Sequence, residues 1–191
     1  MTTTEQPISR LRVPEEQELP DSLQRFFRAT REAEGHLPNW LAAFSLGGEQ
    51  FARLKDYVLP LLSGGSGHLT LREREIIATV VSVRNGCSYC HTLHVHSLAE
   101  VLGDRWLAER TGIDHREVAE LSEREHALAD LATTVTTAPR EVREREVEQL
   151  RELGLDDAAV FEAVQVAAVI NATNRITLAL GVLPDREIFP S

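Results

Sequence analysis

Apolar residues recur through most of this chain at helical rather than alternating spacing, which predicts helices throughout. After Asp21, the series Leu23, Phe26, Phe27 and Thr30 marks a first helix, with Gly35 past its end. Pro38 opens a second with Trp40, Leu41 and Phe44; Gly47-Gly48 breaks or thins it before Phe51, Leu54, Tyr57, Val58 and Leu61 resume the pattern. The small residues from Ser63 to Gly67 read as a flexible link. Thr70-x-x-Glu73 is a capping box, and the helix it starts is apolar on several sides (Ile76, Ile77, Val80, Val81, Val83), as a central core helix must be. Asn85-Gly86 stops it, and another helix follows through about Leu102.

Beyond that point the pattern predicts short helices over Arg105 to Arg110 and His115 to Leu121, the second capped by Asp114-x-x-Glu117. Ser122-x-x-Glu125 caps a helix with Leu128, Leu131 and Val135; Pro139 opens a charged one that Gly154 closes; Asp156 starts a last long one, Val160 to Leu180, ended by Gly181 and Pro184. No strand–turn–strand pattern stands out, so the expected fold class is all-α. Residues 1–20, with Pro14 and Pro20, read as an extended arm, packed on a partner subunit, and 21–191 as one helical domain. Leu69-Thr70-x-Arg72-Glu73 and Leu121-Ser122-x-Arg124-Glu125 repeat at an offset of 52, so the domain divides into candidate duplicated halves, 21–120 and 121–191. At that offset Glu75 meets Ala127, Cys87 meets Pro139 and Cys90 meets Val142, so the second half lacks the polar groups of the first.

Composition narrows the partners. With 191 residues and 42% hydrophobic content the chain has enough apolar side chains for one core. A formal net charge of −10 argues against nucleic acid or an anionic membrane surface. The start of the chain carries no signal-peptide pattern and no apolar run approaches a membrane span, so a cytoplasmic location is expected.

The two cysteines, Cys87 and Cys90, stand three residues apart at the start of the helix after Asn85-Gly86. At about 100° per residue, Cys87, Cys90, His91 and His94 share one face, while His96 points away. The first turn of a helix lowers a thiol's pKa, a second thiol one turn on can close a disulfide after oxidation, and a histidine beyond it can move the protons. Glu75, twelve residues before Cys87 on the preceding helix, is placed to orient that histidine. By spacing alone the favoured reading is a surface carboxylate in the run Arg72-Glu73-Arg74-Glu75, paired to a neighbour. Other readings of the same residues are a buried pair of cysteines and a zinc site of Cys87, Cys90, His91 and His94. First-turn placement favours Cys87 as the more acidic thiol.

Glu75, Cys87, Cys90 and His94 fill the pattern Glu-x11-Cys-x2-Cys-x3-His, which resembles the signature of the AhpD-like alkylhydroperoxidases in the carboxymuconolactone decarboxylase superfamily. The lead-in Leu69 to Glu75 is also similar, and Gly35-His36-Leu37-Pro38-Asn39 with Asn171-Ala172-Thr173-Asn174-Arg175 resembles the branch called peroxidase-related proteins, so the likeness spans most of the chain. Tyr89 departs from it, standing where the best-known AhpD has histidine. The resemblance implies a multihelical AhpD-like fold of duplicated units and a thiol-dependent peroxidase that needs no cofactor. It assigns Cys90 to attack the hydroperoxide, Cys87 to resolve the product as a disulfide, and His94 with Glu75 to relay the proton. The implied partners are a small hydroperoxide, an external dithiol reductant and further copies of the chain. A disulfide oxidoreductase or redox sensor would use the same pair, while a carboxymuconolactone decarboxylase-type activity would not need it. Asn171, Asn174 and Arg175 read as a buried hydrogen-bond network or subunit contact, and Trp40, Phe44 and Phe51 as core or pocket lining.

Overall fold

A computed structural model describes residues 6–63 and 67–189; the central part of the Ser63–Gly67 link lies outside the described residues. Among those described there are nine α-helices and no strand: α1 (Asp21–Glu34), α2 (Asn39–Phe44), α3 (Glu49–Leu62), α4 (Leu71–Arg84), α5 (Ser88–Leu102), α6 (Arg105–Asp114), α7 (Glu123–Thr137), α8 (Glu144–Glu152) and α9 (Asp157–Leu180).

Helix α4 is the axle. Every residue from Glu73 to Ser82 is buried, which its apolar residues on all sides require, and α5, α6, α7 and α9 pack around it. One face meets α7 and α9 through Ile77, Ala78 and Val81 against Leu128, Leu131, Val166 and Ile170. The other meets α5 and α6 through Ile76 and Val80 against Val95, Leu98 and Ala108. Helices α1, α2 and α3 form a separate lobe of core around Phe27, Phe44 and Phe51, and the two cysteines belong to that lobe.

Both predicted capping boxes form, and they are cross-linked. Glu73 accepts from the Thr70 amide at 2.8 Å and from Arg124 Nε at 2.5 Å. In mirror fashion Glu125 accepts from the Ser122 amide at 2.8 Å and pairs with Arg72. The repeat at offset 52 is therefore a reciprocal clasp between the starts of α4 and α7. In both carboxylates burial works against ionisation, but the arginine and the cap donors outweigh it and hold each below the ordinary range.

Several expectations change. The arm packs on its own chain: the Arg10 amide donates to the Leu180 carbonyl at 2.7 Å, the Leu183 amide to Ile8 at 3.0 Å, and Leu19 is buried. The Arg10 guanidinium also takes the carbonyls of Leu178 and Ala179, capping the C-terminal end of α9. No helix covers His115 to Leu121, only a single 3-10 turn, His115–Glu117. Helix α6, capped by Asp104, runs on through Asp114, so Asp114 closes one helix and does not open the next. Pro139 likewise opens only a 3-10 turn, and α8 begins at Glu144. Gly48, at φ 52°, separates α2 from α3. Helix α9, with 24 residues, does reach the length and apolar composition of a membrane span, although it buries Glu162 and Asn174 within the fold.

The sequence reading missed one large internal feature. Arg74 is 1% exposed and pairs with Glu162 of α9, while also donating to the carbonyls of Leu61 at 2.7 Å and Leu69 at 3.2 Å. Glu162 accepts in addition from the amide of His68 at 2.8 Å. This network ties the end of α3, the start of α4 and α9 together.

Candidate active site

The turn between α4 and α5 sets the sulfur positions. Asn85 ends α4, Gly86 takes a left-handed φ of 66°, and Cys87 becomes the N-cap of α5, its Sγ accepting from the Cys90 amide at 3.3 Å. The Asn85 side chain donates to Asn171 Oδ1 at 3.0 Å, and Asn171 in turn donates to Thr136 Oγ1 at 2.9 Å and accepts from Arg175 at 2.7 Å. Asn171 and Arg175 thus form a bracing network that pins the turn to α7 and α9. Cys87 is 1% and Cys90 5% exposed, and the two are joined as a disulfide with Cα atoms 5.3 Å apart.

His94 stands one turn beyond Cys90 on the same side of α5. Its Nδ1 lies 2.9 Å from Glu75 Oε2 on α4, with both side chains buried. An acceptor-only carboxylate at that distance fixes Nδ1 as the protonated nitrogen and leaves Nε2 for chemistry. The reading of Glu75 as a surface carboxylate does not survive its burial. His91 departs from the predicted shared face: its Nε2 points toward α6, 3.4 Å from Glu109. A step of about 100° from Cys90 is enough to turn it onto that neighbouring helix. The four residues of the zinc reading therefore do not converge on one point.

Tyr89 is buried and structural at its hydroxyl end. It donates to Asp185 Oδ2 at 2.6 Å and accepts from the Trp40 amide at 3.3 Å, while Asp185 Oδ1 takes the Asn39 amide at 2.6 Å. Burial, then the adjacent Asp185 charge, push the phenol's pKa up; burial raises Asp185 as well, despite the bonds it accepts. The start of α2 and the segment after α9 are clamped on α5 in this way. Asp185 had no signal in the sequence beyond following Pro184, and its partners lie 96 and 146 residues away.

Cys90, Tyr89 and His94 line a pocket of about 50 Å³ together with Trp40, Leu93 and, from α9, Ile170 and Asn174. Cys87 is not among its lining residues. A wider hollow of about 540 Å³, lined by Phe26, Leu41, Leu59, His36 and His96, shares Trp40 and Leu93 as walls. Trp40 is therefore pocket lining as well as part of the aromatic cluster with Phe44 and Phe51, whose rings meet edge-on.

The sequence model of the Carboxymuconolactone decarboxylase family matches residues 48–105, the span that holds Glu75, Cys87, Cys90 and His94. A peroxidase-related protein from Silicibacter sp. TM1040 is 32% identical with a TM-score of 0.88, over 98% of this chain and 97% of that one. The alkylhydroperoxidase AhpD core of a peroxidase-related protein from Ralstonia eutropha JMP134 is 29% identical with a TM-score of 0.91, over 96% of each chain. The debrominase Bmp8 shares the fold at 17% identity and a TM-score of 0.70, over 97% of this chain and 96% of that one. No curated protein matches the sequence. The chain belongs to the AhpD-like, peroxidase-related branch of the carboxymuconolactone decarboxylase superfamily.

Proposed function

We propose that this chain is a thiol peroxidase that reduces hydroperoxides through Cys90 and Cys87. The observation that carries the reading is the meeting of Cys90 and His94, braced by Glu75, on one small pocket, with Cys87 bonded to Cys90 from behind it. Cys90 is the cavity-facing sulfur and Cys87 is not, which supports Cys90 as the attacking thiol although the helix-cap position of Cys87 also favours ionisation.

The reaction follows from those positions. His94 Nε2 takes the Cys90 proton, and Glu75 stabilises the imidazolium so formed. The thiolate attacks the OH-bearing oxygen of the peroxide, the O–O bond breaks, and the departing alkoxide recovers the proton from His94. Cys90 is left as a sulfenic acid. The Cys87 thiol displaces its oxygen as water and closes the disulfide; an external dithiol then restores both thiols by exchange. The exposed apolar side chains of α9, Phe161, Ile176 and Leu178, support a homo-oligomer, and a cytoplasmic setting supplies the dithiol.

Peroxide consumption with dithiothreitol as the donor tests this. Cys90→Ser is expected to abolish turnover, while Cys87→Ser, reduced and then freed of dithiothreitol, is expected to consume one equivalent of peroxide and stop, with the Cys90 sulfenic acid trapped by dimedone. A Cys87→Ser protein with no trappable sulfenic acid would remove the resolving role, and turnover in Cys90→Ser would remove the mechanism.

A further inference from the structure

The closing turn of α9 puts a threonine on the wall of the Cys90 pocket. Thr177 is 3% exposed, and its carbonyl takes the Val182 amide at 3.1 Å; Val182 belongs to the same core as the two cysteines. A helical threonine often turns its hydroxyl onto the carbonyl four residues back, as Thr92, Thr111, Thr133 and Thr173 do here. The Thr177 hydroxyl bonds to none of the described residues. Nor is it sealed in the core, as the equally unbonded Thr79 hydroxyl is. A hydroxyl left free on a nearly buried side chain is available to a molecule that enters the pocket.

Most other polar groups of the pocket are engaged. The Tyr89 hydroxyl is held by Asp185 and the Trp40 amide, the Thr173 hydroxyl by Val169 and Ile170, and His94 Nδ1 by Glu75. Asn174 donates to Ser82, and its carbonyl oxygen is sealed away. His94 Nε2, the Trp40 indole N–H and Thr177 Oγ1 are left. The indole can only donate, and Nε2 becomes a donor once it holds the Cys90 proton. Among the described lining side chains, Thr177 Oγ1 is then the free oxygen acceptor.

We infer that the Thr177 hydroxyl is a catalytic binding group whose oxygen accepts the peroxide O–H and holds the OH-bearing oxygen against the Cys90 sulfur. The inference rests on the peroxidase reading. Every hydroperoxide carries at least one O–H, and a pocket of about 50 Å³ has room for the O–OH group. When the thiolate attacks, the O–O bond breaks and its electron pair leaves with the alkoxide, which takes its proton from His94. The transferred OH stays on Cys90 as the sulfenic acid, still donating to Thr177, until the Cys87 thiol expels it as water. Hydrogen peroxide and organic hydroperoxides are assisted alike, because only the O–H is recognised.

The test uses the reduced full chain and compares Thr177→Val, which keeps the shape and removes the hydroxyl, with Thr177→Ser, which keeps the hydroxyl. Rate constants for oxidation by hydrogen peroxide and by cumene hydroperoxide are read from tryptophan fluorescence. Reaction with methyl methanethiosulfonate, which has no hydrogen-bond donor, reports the thiolate without the O–H contact. Thr177→Val is expected to slow both peroxides roughly fivefold, the worth of one hydrogen bond, with the thiosulfonate rate unchanged and Thr177→Ser close to wild type. Thr177→Ala takes its place if the valine variant does not fold. Wild-type peroxide rates in Thr177→Val, a parallel fall in the thiosulfonate rate, or an equal loss in Thr177→Ser would each overturn the role and leave the peroxidase reading standing. A wild-type protein inert to both peroxides would overturn that reading and this role together.

Discussion

Replacing Glu75 by glutamine removes one charge from a buried couple of the site and little else. The amide keeps the length of the side chain, and its carbonyl can still accept from His94 Nδ1, so the ring keeps its orientation. What is lost is the counter-charge to the imidazolium that forms when His94 takes the Cys90 proton. For opposite charges at the observed 2.9 Å, Coulomb's law at an effective dielectric of about 20 gives roughly 6 kcal/mol as a bare figure. The retained hydrogen bond and local reorganisation reduce this, and charged hydrogen bonds of this kind are worth about 1.5–3 kcal/mol net. A loss of about 2 kcal/mol is a roughly 30-fold slower reaction of Cys90 near neutral pH. Stopped-flow oxidation of reduced protein by hydrogen peroxide reads it directly. The deficit is expected to apply equally to methyl methanethiosulfonate, because the thiolate itself is affected, and to shrink as pH rises toward about 8.5, where a free thiol ionises unaided. A Glu75→Gln protein that folds and reacts at the wild-type rate at pH 7 would refute the assignment of the couple to Cys90 activation.

Two further predictions concern the frame that holds the site. Glu73 and Glu125 have folded-state pKa values held below the ordinary 4.5, so their contribution to stability is present above about that pH and is lost as pH falls through the depressed folded values. Urea unfolding as a function of pH should show this acid limb, and it should flatten in the Arg72→Ala/Arg124→Ala double variant; an unchanged limb would mean the clasp is not the source. Arg74→Ala leaves Glu162 buried without its cation and frees the carbonyls of Leu61 and Leu69, a loss of about 3–5 kcal/mol and roughly 6–20 °C in melting temperature. A thermal shift under about 2 °C by circular dichroism would contradict that buried network.

The sequence carried the local part of this structure well and the long-range part poorly, for physical reasons. Capping boxes at Thr70 and Ser122, the stop at Asn85-Gly86 and the apolar faces are encoded within a turn or two, and the helices they mark are present. Asp114-x-x-Glu117 has the same letters but no box, because the preceding helix already uses Asp114; only the register of α6 decides that. The Glu75–His94 couple was legible through the resemblance to a known signature, while spacing alone favoured a surface carboxylate. Arg74–Glu162, Tyr89–Asp185 and Asn174–Ser82 pair residues 88–96 positions apart, and no periodicity reports which charged or polar residue will be drawn inside. His91 shows the converse limit: a helical wheel puts it beside Cys90, and the packing of α6 takes it away.

The central claim is that Cys90 and Cys87 act as one two-electron unit toward peroxide. The direct measurement is the thiol count of reduced protein before and after one equivalent of cumene hydroperoxide, with mass spectrometry of the peptide that carries both cysteines. Loss of both thiols for each equivalent, with an intramolecular Cys87–Cys90 disulfide and one cumyl alcohol formed, is the expected result. Thiols that survive the peroxide, or a stable sulfenic acid with Cys87 still free, would contradict it.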